Sequence, residues 1–130
     1  MKITLCSSAR FFERLYEIKE ELEKQGHEVF LPSMKNYHDL EETALAKIHY
    51  NLIKDQFKKI DNSDAIFVAN FDKDIKGYIG GSCLLEIGKA FDKGIPIYLL
   101  NEIPDISYKE EIKAMKPIVI GMDFKKINLM

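Results

Sequence analysis

Apolar and polar positions along the chain alternate between two rhythms. Ile3–Cys6 is a short apolar run, and after the polar turn "SSAR" the residues Phe11, Leu15, Ile18 and Leu22 recur at helical spacing until Gly26. That predicts a strand, a loop and a helix. "HEVFLP" predicts a second strand closed by Pro32, followed by the polar loop "SMKNYHD"; Leu45, Ile48, Leu52 and Ile60 then mark a long helix over about residues 41–60. "DAIFVAN" reads as a third strand, and its continuous apolar run suits a strand covered on both faces. A glycine-rich loop leads into a helix over 82–93, with Leu84, Ile87 and Phe91 as its buried stripe. Strand "IPIYLL", a short helix near 107–115 and a last strand "PIVIG" complete the pattern.

Five strands separated by helices, without hairpin dipeptides between them, predict parallel pairing through right-handed crossovers. The expected fold class is α/β, a three-layer α/β/α sandwich whose five-stranded parallel sheet has the flavodoxin-like or Rossmann-like order 2-1-3-4-5. The 130 residues are 46% hydrophobic and 31% charged, which suits one soluble domain over residues 1–130 with a real core. No internal repeat or low-complexity linker divides it, and residues 32–40 and 70–80 are the segments expected to move.

A net charge of −2 without a Lys/Arg block argues against nucleic-acid polymers and anionic membranes as partners. The apolar runs fall far short of the roughly 20 residues that span a bilayer. The start "MKITLCSSAR" enters a strand without the features of a signal peptide, so the expected location is cytoplasmic. Cys6 and Cys83 form no CxxC, and His27, His38 and His49 are scattered, so reduced thiols, no metal and no cofactor are expected.

In a sheet of this order, ligands lie beyond the carboxyl ends of the strands where strand order reverses, here between strands one and three. The loops to search are therefore "CSSAR" (residues 6–10) and "NFDKDIKGYIGGS" (residues 70–82). Gly80 and Gly81 allow close approach of a ligand, and the N–H groups opening the next helix favour an anion such as a phosphate. Cys6, Ser7, Ser8 and Arg10 face them from the first loop, Arg10 offering a forked cationic donor. The plain alternative is a tight turn beside a surface ion pair. Neither GxGxxG after strand one nor GxxxxGK[ST] is present, so dinucleotide and P-loop readings lack their mechanics.

Glu86 is the chemical question in this stretch. With Ser82 as N-cap it lies one residue past the capping-box position, whereas a Cys83 cap would make it ordinary helix chemistry. The tilt of helical side chains toward the amino terminus brings it back toward the glycine loop. Tyr78 stacks on a base or packs its loop, Asn70 bonds a ligand or its own turn, and Cys83 is a lowered-pKa thiolate or a small buried thiol.

"CSSAR", "NSDAIFVAN" and "GYIGGSCLLEIGKAFDKGIPIYLL" together resemble the nucleoside 2-deoxyribosyltransferase-like superfamily, which includes 2'-deoxynucleoside 5'-phosphate N-hydrolases. The resemblance covers roughly residues 1–120. It implies that Glu86 is the nucleophile attacking C1' of the sugar, that Ser8 and Arg10 contact sugar and phosphate, and that Gly80 and Ser82 form the phosphate or sugar turn. A carboxylate nucleophile agrees with glycosyl transfer that retains configuration. Two positions depart from the family: its strand-one tyrosine falls on Thr4, and its helper aspartate on Gln56. Asp55, one place away, is the candidate acid, with Asp64 as substitute; Asp64 also reads as a strand end-cap and Thr4 as core. Residues near Lys113–Met115 resemble a segment that reaches a neighbouring subunit's site, which implies a homodimer or higher homo-oligomer.

Three functions follow from these residues. The first is cleavage or transfer at the N-glycosidic bond of a 2'-deoxynucleoside or its 5'-monophosphate. The second is a nucleotide- or nucleotide-sugar-binding module without turnover, favoured by the missing helpers. The third, a flavodoxin-like redox or phospho-receiver domain, is weakened because "CSSARFF" has no acid and soon becomes aromatic.

Overall fold

The structure, a computed structural model, describes residues 1–33 and 42–129, with 42–50 and 128–129 given by their backbone alone. Most of the 32–40 loop, with His38, His49 and the first turns of the long-helix stripe, therefore lies outside the described side chains. Five strands, β1 (Lys2–Cys6), β2 (Glu28–Phe30), β3 (Ala65–Val68), β4 (Ile97–Leu99) and β5 (Ile118–Val119), form one sheet in the order β2-β1-β3-β4-β5. Every neighbouring pair is parallel. The expected fold class holds. The helices are α1 (Leu15–Lys24), α2 (Glu42–Asp61), α3 (Gly81–Lys93) and α4 (Lys109–Ala114).

Strand alternation sorts the core into two layers. Ile3, Leu5, Ala65, Phe67 and Tyr98 pack with Leu15, Ile18 and Leu22 of α1. The intervening residues Cys6, Ile66, Val68, Ile97 and Leu99 face Ile60 of α2, Cys83, Ile87 and Ala90 of α3, and Ile112 of α4. β3 and β4 are buried on both sides, which is why "AIFV" is apolar throughout. Among the described residues no helix is long and apolar enough to cross a membrane.

Three details differ from expectation. The helix after "SSAR" starts as a 3-10 turn, Ala9–Arg14, in which Phe11 packs on Phe71 at 5.3 Å between ring centroids. A second 3-10 turn, Phe124–Leu129, was not foreseen; Phe124 meets Phe67 edge-on at 5.4 Å and Ile127 is fully buried. Its signal in "DFKKINLM" is only two spaced apolar residues, too short for a periodicity. The buried face of α3 is also turned: Cys83, Glu86, Ile87 and Ala90 are buried, whereas Phe91 is 49% exposed. Small side chains at 83 and 90 let the helix lie close on β3 and β4, so that face, and not the bulkier one through Phe91, packs inward.

α3 ends at Gly94, whose φ of 82° gives the left-handed residue that closes a helix.

Candidate active site

A cleft of about 360 Å³ opens at the carboxyl ends of β1 and β3, at the switch point of the sheet. Its walls come from the loop after β1 (Ser7, Ser8), the loop into α3 (Tyr78, Gly80), the first turns of α3 (Gly81, Ser82, Cys83, Glu86) and the inner face of α2 (Leu52, Ile53, Gln56). Phe12, Leu15, Pro32 and Ser33 complete an apolar margin.

The two loops are tied in place by their own chemistry. Ser7 Oγ donates to the Ala69 carbonyl at 3.2 Å, which fixes the β1 exit against the β3 exit. Asn70 is almost fully buried; its Nδ2 donates to the carbonyls of Gly77 (3.2 Å) and Asn101 (3.0 Å), and its Oδ1 accepts from the Asn101 N–H (2.9 Å). Asn70 thus clamps the loop and does not line the cleft. Gly77 has a φ of 66°, and a Cβ there would stand 2.7 Å from the Glu102 carbonyl oxygen, so only glycine fits the turn. Gly81 is different: a Cβ there would meet nothing within 4 Å, leaving open space beside the cleft.

α3 begins with Gly80 as an extended N-cap and no side-chain cap. Glu86 is consequently more than a full turn inside the helix, too far along to cap it, so the capping explanation fails. It lies on the buried face at 8% exposure, with its Oε2 lacking any partner. Burial pushes its carboxyl up to about 8, opposed by hydrogen bonds from the Cys83 and Cys6 thiols. Burial first, and then the neighbouring Glu86, push both thiols well above their ordinary value. Cys6 and Cys83 are therefore neutral S–H donors beneath the carboxyl, and the thiolate reading of Cys83 does not hold. Cys6 is fully buried under the cleft floor.

Asp55 is turned away. Its carboxylate accepts from the Ser33 hydroxyl and pairs with Lys59 at 3.3 Å, and these partners, Ser33 foremost, hold it below the usual carboxylate range. It does not line the cleft, and neither does Arg10, which is exposed on the 3-10 turn. Thr4 is buried and shares a 2.7 Å hydrogen bond with Ser63, a core role. Asp64 accepts from the Lys2 N–H at 2.8 Å at the opposite edge of the sheet, an end-cap. Tyr78 lines the cleft with Lys73 Nζ 4.9 Å from its ring centre.

Gln56 occupies the cleft wall that Asp55 does not. It is 3% exposed, its Nε2 donates to the Leu5 carbonyl at 2.9 Å and approaches Cys6 Sγ at 3.6 Å, and its Oε1 has no partner among the described residues. Sequence reading named it only as a departure from a pattern. The available signal was a polar residue on the apolar Leu52–Gln56–Ile60 stripe of α2. Among the described residues no three His, Cys, Asp or Glu side chains gather as a metal-holding group.

No protein-family model and no curated protein matches the chain. Solved structures do share its fold. A 2-deoxyribosyltransferase from Bacillus psychrosaccharolyticus superposes with a TM-score of 0.52 at 22% identity over 76% of this chain and 71% of that one. A CMP N-glycosidase, BcmB, from Clostridium botulinum gives 0.54 at 17% identity over 100% of both chains. A conserved protein from Enterococcus faecalis V583 gives 0.61 at 14% identity, covering 98% of this chain and 95% of that one. At these identities the likeness shows the fold.

Proposed function

We propose that this protein cleaves or transfers at the N-glycosidic bond of a 2'-deoxynucleoside or its 5'-monophosphate, with Glu86 as nucleophile. The observation that carries the reading is a buried carboxyl with an unpartnered oxygen on the wall of a cleft at the sheet's switch point. Two structural neighbours are named for chemistry at this bond, a deoxyribosyltransferase and a CMP N-glycosidase. In the proposed reaction a Glu86 oxygen bonds to C1' as the C1'–N bond breaks, and that bond's electron pair leaves with the base nitrogen, which takes a proton from water. Water then attacks C1', loses a proton and frees Glu86; a second base in place of water makes the reaction a transfer. The uncapped start of α3 and Ser8 suit the 5'-phosphate, since helix N–H groups and their dipole favour an anion.

A second reading keeps the ligand and removes the turnover. Asp55 is held by Ser33 and Lys59, and Gln56 has no acidic proton, so neither side chain offers the departing base a proton. A nucleotide-binding module is what that absence favours. Incubation with each 2'-deoxynucleoside and 5'-monophosphate, with and without an acceptor base, separates the two. Free base from wild type and none from Glu86→Ala supports catalysis; ligand-raised melting temperature without base release supports the binding module.

A further inference from the structure

Among the described residues, two buried polar atoms on side chains that line the cleft lack a partner: Glu86 Oε2 and Gln56 Oε1. The first belongs to the proposed nucleophile. The second has no such assignment, and its orientation is determined. Gln56 Nε2 sits 2.9 Å from the Leu5 carbonyl oxygen, so exchanging the amide's oxygen and nitrogen would set two acceptors against each other. Oε1 is thus an acceptor held on a side chain that is 97% buried and borders the cleft.

A buried carbonyl oxygen without a donor costs free energy in the empty protein, and a ligand that brings the donor recovers it. Gln56 and Glu86 are also neighbours through one atom. Cys6 Sγ lies 3.6 Å from Gln56 Nε2 and is itself hydrogen-bonded to Glu86. Whatever group meets Gln56 therefore lies in the part of the cleft that Glu86 also lines.

Resting on the glycosidic reading above, we infer that Gln56 is a specificity-determining residue whose Oε1 accepts a hydrogen bond from an N–H or O–H group of the ligand in the part of the cleft that Glu86 also lines. A nucleotide has two such sources, the 2'-hydroxyl of a ribose on the carbon next to C1' and, across the ring from the glycosidic bond, the amino group of the base. A carbonyl acceptor attracts either one and disfavours a carbonyl oxygen in the same place, because two acceptors would then face each other in a dry site.

Calorimetric binding of CMP, UMP, dCMP and dUMP to Glu86→Ala, which consumes no ligand, distinguishes the sources. A base amino partner gives a preference for CMP over UMP and dCMP over dUMP; a hydroxyl partner gives a preference for CMP over dCMP and UMP over dUMP, and moves the glycosidic reading from deoxyribose to ribose substrates. Either preference should be about tenfold to a hundredfold, and adding Gln56→Leu should abolish it. Should the leucine variant fold poorly, a cytidine monophosphate whose amino group is replaced by hydrogen tests the amino arm on the Glu86→Ala host alone, with an affinity loss of the same size expected. Equal affinities for all four nucleotides, or a preference that survives Gln56→Leu, overturn the inference while leaving the glycosidic reading standing. Failure of every nucleotide to bind overturns both.

Discussion

Glu86→Gln should make folding stability less dependent on pH, and the size of the effect follows from burial. The folded carboxyl titrates near about 8 against an ordinary value of 4.5. Below the lower value the group is protonated in the folded and unfolded chains alike, and wild type and variant respond to pH in the same way. As pH rises from there, the unfolded chain ionises while the folded one keeps its proton, so wild type loses stability relative to the glutamine variant by about 1.4 kcal/mol per pH unit. The loss stops once the folded carboxyl also ionises, having reached ~5 kcal/mol in all, an order-of-magnitude figure. Cys6 and Cys83 are common to both proteins, and they begin to add slope only as the unfolded thiols ionise toward their ordinary value of 9.0, at the top of this window. Urea denaturation of both proteins at intervals from about pH 4.5 to about pH 8.5 reads the difference directly. A gap between the two that does not widen across this range would mean that Glu86 ionises normally and that its burial is not what the site uses.

Other expectations follow from single residues. For base release, kcat/KM should rise with pH and level off above about 8, the value to which burial pushes the free protein's Glu86, because attack requires the ionised carboxyl; a flat rate from pH 6 to pH 9, roughly, would remove Glu86 as the titrating nucleophile. Asn70→Ala should lower stability by about 2–3 kcal/mol in denaturant titration, since it strands buried groups of Gly77 and Asn101; a loss under about 0.5 kcal/mol would mean the clamp is not needed. Gly77→Ala should destabilise by more than about 1 kcal/mol, through its positive φ and the 2.7 Å approach to Glu102, whereas Gly81→Ala should stay within about 0.5 kcal/mol of wild type. Asp55→Asn should change base release less than about tenfold, because its carboxylate is committed to Ser33 and Lys59 and does not itself line the cleft; a loss of a hundredfold or so would return it to the reaction.

The parts of the fold that repeat a local rule were legible in the chain. β3 and β4 announce themselves as apolar runs because both of their faces are covered, and alternation of strands and helices with right-handed crossovers leaves few sheet orders, among which 2-1-3-4-5 was expected and is found. The location of the cleft came from the same topology, so Ser7, Ser8, Tyr78, Gly80, Gly81, Ser82 and Glu86 could be named before any coordinates. What stayed hidden is decided between distant segments. Asn70 looks like a loop ligand until Asn101, thirty-one residues on, is seen to take its hydrogen bonds. Asp55 and Gln56 are adjacent on one helix, and only the packing angle of α2 decides which of them borders the cleft. The face of α3 was misjudged because hydropathy favours Phe91, while close packing on the sheet favours Cys83 and Ala90.

The central claim is that Glu86 forms a bond to the sugar. Reaction with a 2'-fluoro nucleoside 5'-monophosphate, whose electron-withdrawing fluorine slows release of the glycosyl group, followed by intact-mass and peptide mass spectrometry, tests it most directly. The account predicts a fluorosugar phosphate adduct on the peptide containing Glu86, absent in Glu86→Gln. Base release by wild type without any adduct, or an adduct carried by another residue, would contradict it.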